Sequence, residues 1–174
     1  TDLLAALPEG RPKKLPAAEA RPQKGDEDAA GITHRQIALA LRDAAGDTPV
    51  TFSGLPRGWP CELWPHRHPL DYLGKDGGGG VGSGPGIAIG AALALKDSGR
   101  LVAGIIGDGD CLMSINALWT AGHYRIPALI VVSNNRSYYN DELHQESVAK
   151  HRGRDPANRW IGQRIDDPVP DIAA

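Results

Sequence analysis

Apolar residues along this chain fall into two patterns. The runs "LVAGIIG" at 101–107 and "ALIVVS" at 128–133 hold no charge and do not alternate with polar positions, while "TPVTFSG" holds a short strand, Val50 to Phe52. Uninterrupted runs of that length suit strands covered on both faces. Elsewhere the apolar positions recur at helical spacing. In "HRQIALALRDAAG", Ile37, Ala38, Leu41 and Ala45 share one face, Thr33 can cap the start and Gly46 signals the stop. A glycine-rich stretch, "GKDGGGGVGSGPG", runs into a helix expected over about 86–96, and a further helix is expected from Leu112 to Tyr124, starting near Cys111 and ended by Pro127. "LPRGWPCELWPHRHPL" has four prolines and no period, which predicts a loop with one helical turn. The polar stretch from Arg136 to Gln163 has no assignable period.

Strand, helix and strand over 101–133 make a βαβ unit, so the strands are expected to be parallel, joined by a right-handed crossover. The fold class is α/β, a doubly wound and mainly parallel sheet with helices on both faces. Neighbouring parallel strands end at one edge, and ligands of open α/β sheets bind outside that edge. Asp108 lies just past one strand, and Asn134 and Asn135 just past the next, with 24 residues (110 to 133) between the motifs "GDG" and "NN". A turn, a helix, a loop and a strand use up that length. A carboxylate and a carboxamide oxygen are thereby delivered to one spot, the donor chemistry of a hard cation such as magnesium, which shares its oxygen ligands with phosphates. Gly107 and Gly109 let the backbone turn and approach a ligand closely. The helix after them offers free N–H groups to an anion.

Composition narrows the picture. A formal net charge of −2 lacks the basic footprint of a nucleic-acid binder. Two cysteines in unrelated contexts, Cys61 and Cys111, do not make a disulfide framework, so a reducing cytoplasm is expected. No run is long enough to cross a bilayer as a helix. Residues 1–31 include a proline-, alanine- and charge-rich stretch that reads as a linker from an upstream domain. Residues 32–174 read as the folded domain, cut short at its C-terminus.

The combination "GDG", 24 residues, "NN" resembles the cofactor signature of thiamine-diphosphate-dependent enzymes, in their C-terminal diphosphate-binding domain. "GGGGVGSGPGIAIGAALAL" and "INALWTAGHYRIPALIVVSNN" are similar to the branch containing benzoylformate decarboxylase and acetolactate synthase, and the likeness covers residues 32 to 140. The resemblance implies thiamine diphosphate and magnesium as cofactors. It implies Asp108, Asn135 and the main-chain carbonyl of Ser137 as metal ligands, and backbone amides of Asp110, Cys111 and Tyr138 at the diphosphate. Val81 matches the apolar prop that bends the cofactor, and Gly79 the residue whose carbonyl receives the pyrimidine amino group. The activity implied is that of a lyase or transferase, a decarboxylase or carboligase acting on 2-oxo acids, with the cofactor serving as electron sink. The activating glutamate belongs to a pyrimidine-binding domain that no stretch here matches, so a homodimer or homotetramer sharing active sites is implied, and this chain alone is half a site. Alternatives are a separate subunit of a heteromeric 2-oxo acid decarboxylase or oxidoreductase, and a non-catalytic cofactor-binding module.

Two departures stand out. Asp110 follows "GDG" where the family often has a small residue, and is expected to turn away from the diphosphate and cap the helix that follows. "NNRSYYNDELHQE" differs from the glycine-containing continuation of benzoylformate decarboxylase, which leaves substrate preference open. Tyr139, His144, Gln145 and Glu146 in that stretch are candidates to face substrate. Gly77, Gly79 and Gly82 also satisfy a dinucleotide-binding spacing, with Asp97 downstream, but no buried strand precedes them. His66 and His68, with no ligand cluster nearby, read as surface residues, and His123 as a structural residue at a helix C-terminus. Trp59, Trp64, Trp119 and Trp160 read as packing or subunit contact. Cys111 at a helix start could be reactive, although a buried small residue is the simpler reading.

Overall fold

The computed structural model describes residues 31–74 and 80–173, and from His34 onward these belong to one compact unit. The order is α1 (His34–Ala45), β1 (Val50–Phe52), a 3-10 turn (Cys61–Leu63), α2 (Gly84–Ala94), β2 (Leu101–Gly107), α3 (Asp108–Met113), α4 (Asn116–Tyr124), β3 (Leu129–Ser133) and α5 (Tyr139–His151). The three strands form a parallel sheet in the order β1-β2-β3, with β2 and β3 paired as expected of the βαβ unit. Most of the expected 1–31 linker lies outside the described residues. Among the described residues, no helix is long and apolar enough to cross a membrane.

The central strand β2 explains the layers. Its residues alternate sides, since side chains of a strand point to opposite faces in turn. Ala103 and Ile105 pack with Ala38 of α1, Phe52 of β1, Leu55 and Trp59. Val102 faces the other way, with Ile89 and Ala92 of α2 and Ile126 after α4. Gly104 faces α2 as well. A methyl group built there would sit 3.0 Å from the Ala88 side chain, so glycine lets helix and strand approach closely. β3 continues the alternation, with Leu129 and Val131 on the first side and Ile130 on the second. Helices therefore cover both faces, and β2 is apolar throughout because neither face meets water.

α1 spans the expected residues, with Ala38 buried and Ile37, Leu41 and Ala45 packed on the core. Gly46 ends it at φ +53, donating its N–H to Arg42 O. α2 begins two residues earlier than the sequence suggested, at Gly84, because Pro85 fits the first helical turn, where its missing N–H is not needed. The helix expected over 112–124 is two helices. α3 starts at Asp108, directly after the strand, and stops at Met113. Ser114 leaves helical geometry (φ −140, ψ 40), its hydroxyl donates to the carbonyl of Gly82, and the helix resumes at Asn116. α4 closes at Arg125 in the left-handed region, two residues before Pro127.

Two of the tryptophans pack in the interior. Trp59 belongs to the core, while Trp64 meets Phe52 edge-on and donates to Ala38 O. Trp119 and Trp160 are exposed, and Trp119 stacks on His123.

Candidate functional site

The register of the sheet sets the site. Gly107 pairs with Ser133, so Asp108 and Asn134 are the first residues beyond the same edge, and Asn135 follows. The two loops meet. A methyl group built on Gly109 would sit 2.3 Å from the Tyr138 ring, so the ring lies flush against this glycine, and no larger residue fits while the ring stays there.

Asp108 is the first helical residue of α3 and is 1% exposed, yet its Oδ2 makes no hydrogen bond. A buried polar oxygen with no partner is costly and calls for an explanation such as an ion or ligand. On the other loop, Asn135 Oδ1 accepts from Ser137 N (3.1 Å), and Asn134 Oδ1 accepts from Arg136 N (3.2 Å). These are Asx turns, so the bland reading of the asparagine pair holds as local structure. A carboxamide oxygen has two lone pairs, which leaves Asn135 one for a cation. Arg136 adopts φ +56 in this turn, a left-handed conformation that L side chains seldom take.

Ser137 is buried and forms an antiparallel bridge with Arg164. The flanking bonds are Tyr138 N to Gln163 O and Ile165 N to Arg136 O, each 2.9 Å. In that pattern the N–H and C=O of the residue between the bonds point away from the opposing strand. The Ser137 N–H does so, reaching Asn135 Oδ1, and its carbonyl shares that side. The Ser137 carbonyl is thus turned away from Arg164, which the sequence did not reveal.

Asp110 does turn into a capping role, but for a different helix from the one expected. Its Oδ1 accepts from Gly82 N (2.5 Å) and Gly84 N (3.2 Å), at the start of α2. The reason is proximity. α2 packs on α3 so closely that a methyl group built on Gly84 would lie 2.0 Å from Asp110 Oδ2. Gly82 is held a second time by the Ser114 hydroxyl at its carbonyl, and its φ of +99 suits glycine. Val81, next to this doubly anchored residue, is half exposed. It lines a cleft of about 380 Å³ with Gly80, Gly107, Asp110 and Asn140, bounded by the end of β1. Gly79 and Gly77 lie outside the described residues.

Cys111 is fully buried, and burial, then the neighbouring Asp110 and Asp108, push its thiol up, which argues against a reactive nucleophile. Tyr139 and His144 are exposed, Gln145 is half-buried, and the cleft is lined by Asn140 instead of any of these three. His66 packs against Phe52 and Tyr72, and His68 Nδ1 accepts from Leu70 N, consistent with structural roles. Among the described residues no cluster of three or more His, Cys, Asp or Glu could hold a metal. The residues beyond the sheet edge offer oxygens of another kind: the Asp108 carboxylate, the Asn135 carboxamide and the Ser137 carbonyl. The sequence reading also missed Ser114, Asn140 and Glu142; the last two sit in the polar stretch that no period could assign.

Residues 53–173 match the profile of the family described as thiamine pyrophosphate enzyme, C-terminal TPP binding domain. The chain is 32% identical over 140 residues to benzoylformate decarboxylase of Pseudomonas aeruginosa, covering 78% of this chain and 26% of that protein. It is 31% identical over 108 residues to the large subunit of acetolactate synthase isozyme 1 of Escherichia coli, covering 61% and 19%. Among solved structures, the thiamine diphosphate-dependent 4-hydroxybenzoylformate decarboxylase of Rhodococcus jostii RHA1 superposes with a TM-score of 0.60 at 30% identity, covering 78% of this chain and 25% of that one. The chain therefore spans about a quarter or less of the length of these relatives.

Proposed function

Because the chain belongs to the family of C-terminal TPP-binding domains of thiamine pyrophosphate enzymes, we propose that it supplies the diphosphate and magnesium half of an active site that decarboxylates or ligates 2-oxo acids. The reading is supported above all by Asp108, whose buried Oδ2 is unpartnered just beyond the sheet edge that the Asn134–Asn135 loop also leaves. The donor set is all oxygen, suits a hard cation, and lies at the start of a helix, where an anionic diphosphate is favoured.

In this reading Asp108, Asn135 and the Ser137 carbonyl would hold Mg2+, which would neutralise charge on the cofactor's diphosphate. The main-chain amides of Asp110, Cys111 and Tyr138 receive diphosphate oxygens. The Asp110 carboxylate does not oppose this, because it is spent on the amides of Gly82 and Gly84. That same bond fixes Val81 at the cleft wall, where its side chain would serve as the apolar prop for the cofactor. The carbonyl of Gly79, outside the described residues, is the proposed acceptor for the pyrimidine amino group. Bound thiamine diphosphate supplies the electron sink that lets a 2-oxo acid lose carbon dioxide. The activating glutamate comes from a pyrimidine-binding domain, in the same polypeptide or a partner subunit, within a homodimer or homotetramer.

Thermal unfolding with thiamine diphosphate and Mg2+, added singly and together, tests this. A ligand at 100 times its dissociation constant stabilises the native state by about 2.7 kcal/mol. Both ligands together should raise Tm well beyond the sum of the separate shifts, and Asp108→Ala should abolish the excess. No joint shift, with the pyrimidine-binding domain present, would refute the reading.

A further inference from the structure

The reading above leaves a buried charge without a task. Glu142, in the first turn of α5, is 2% exposed. The Ser137 hydroxyl donates to its Oε1, Arg164 Nε lies 3.2 Å from the same oxygen, and Arg159 Nε lies 3.8 Å from Oε2. Arg159 also reaches Glu146 Oε2 at 2.6 Å. Taking a carboxylate out of water costs several kcal/mol and is tolerated only among good partners. Here every partner comes from one of two segments, the loop after β3 and the stretch 159–165. Those are the segments that the Ser137–Arg164 bridge joins.

Ser137 is consequently fixed from three directions. Its hydroxyl is taken by Glu142, its N–H by Asn135 Oδ1, and its neighbours by Gln163 and Ile165. Among the described residues its carbonyl makes no hydrogen bond, and it lies on the side away from Arg164, where the N–H meets Asn135 Oδ1. We propose that Glu142, backed by Arg164 and Arg159, is a positioning residue for the cation loop, locking Ser137 so that its carbonyl is presented beside Asn135. This rests on the functional reading above and adds to it a device that "GDG" and "NN" do not contain. Partners that orient a metal ligand from behind set affinity by fixing its direction in advance, and their loss costs about 10- to 100-fold in metal binding.

The test is Mn2+ binding to the full-length protein with its pyrimidine-binding domain, followed by electron paramagnetic resonance in saturating thiamine diphosphate, with melting curves alongside. Ser137→Ala removes the hydroxyl and keeps the carbonyl, so it loosens the lock with little risk to the fold. Glu142→Gln keeps an acceptor and removes the charge that the arginines hold. Both should weaken Mn2+ binding about tenfold or more at temperatures far below their melting points. If the wild type binds Mn2+ and both variants bind within about twofold of it, whatever their Tm, then Glu142 is structural only and the proposal is overturned while the cation site stands. If the wild type binds no Mn2+ beside thiamine diphosphate, the functional reading falls and this proposal falls with it.

Discussion

Asp110→Ala removes a carboxylate whose single oxygen, Oδ1, caps the start of α2 through Gly82 N at 2.5 Å and Gly84 N at 3.2 Å. A hydrogen bond to a charged group contributes about 1.5 kcal/mol at the low end of its range. A negative charge at a helix start adds about 0.5 kcal/mol. Allowing for water reaching the freed amides, the loss is about 3 kcal/mol, or about 9 °C in Tm for a unit of this size. Asp110→Asn retains an acceptor for both amides and loses only the charge, so about 1 kcal/mol is expected. Urea unfolding without cofactor, followed by circular dichroism, should give the order wild type, Asn, Ala. Ser114→Ala acts on the same glycine through its carbonyl. The pair Asp110→Ala and Ser114→Ala should therefore couple by more than about 0.5 kcal/mol in a double-mutant cycle. If Asp110→Ala lies within about 0.5 kcal/mol of wild type, or Asn costs as much as Ala, the charged cap over the glycine loop is not what holds Val81 in place.

Three further outcomes follow from the geometry. Gly109→Ala drives a methyl group into the Tyr138 ring and should cost about 1–3 kcal/mol, most of it recovered in Gly109→Ala/Tyr138→Ala, as measured by chemical denaturation. Asp71 is held down to about 2, chiefly by the His68 amide and also by Arg100, so its contribution is present above the ordinary value of 3.8 and lost as pH falls toward 2. An acid titration of stability should accordingly be less steep for Asp71→Asn over that window. Cys61 is exposed, whereas Cys111 is buried with its thiol pushed up. Iodoacetamide at pH 8, followed by peptide mass mapping, should label Cys61 and spare Cys111 until the protein unfolds.

How much of this was legible in the sequence depended on periodicity. β2 could be read because a strand covered on both faces has no polar residue to interrupt it, β3 from its run of β-branched and aliphatic residues, and α1 because one face is apolar. The break at Ser114 was hidden, since it arises from a tertiary bond to Gly82 that no local propensity encodes. α5 was unreadable for a related reason. Among its described residues only Glu142 is fully buried, so the interior position is held by a carboxylate and its arginines where an apolar stripe would ordinarily signal a helix. At the site, the separation of Asp108 from Asn135 was evident from chain length. The aim of the Ser137 carbonyl was not, because it depends on pairing with Arg164, far along the chain.

The most direct measurement is a crystal structure of the protein, together with a pyrimidine-binding domain, with thiamine diphosphate and Mn2+ and with data collected near the manganese edge. The account predicts one anomalous peak within about 2.0–2.6 Å of Asp108 Oδ2, Asn135 Oδ1 and the Ser137 carbonyl oxygen, touching the diphosphate. A bound cofactor whose metal lies elsewhere, or Asp108 still without a partner in that crystal, would contradict it.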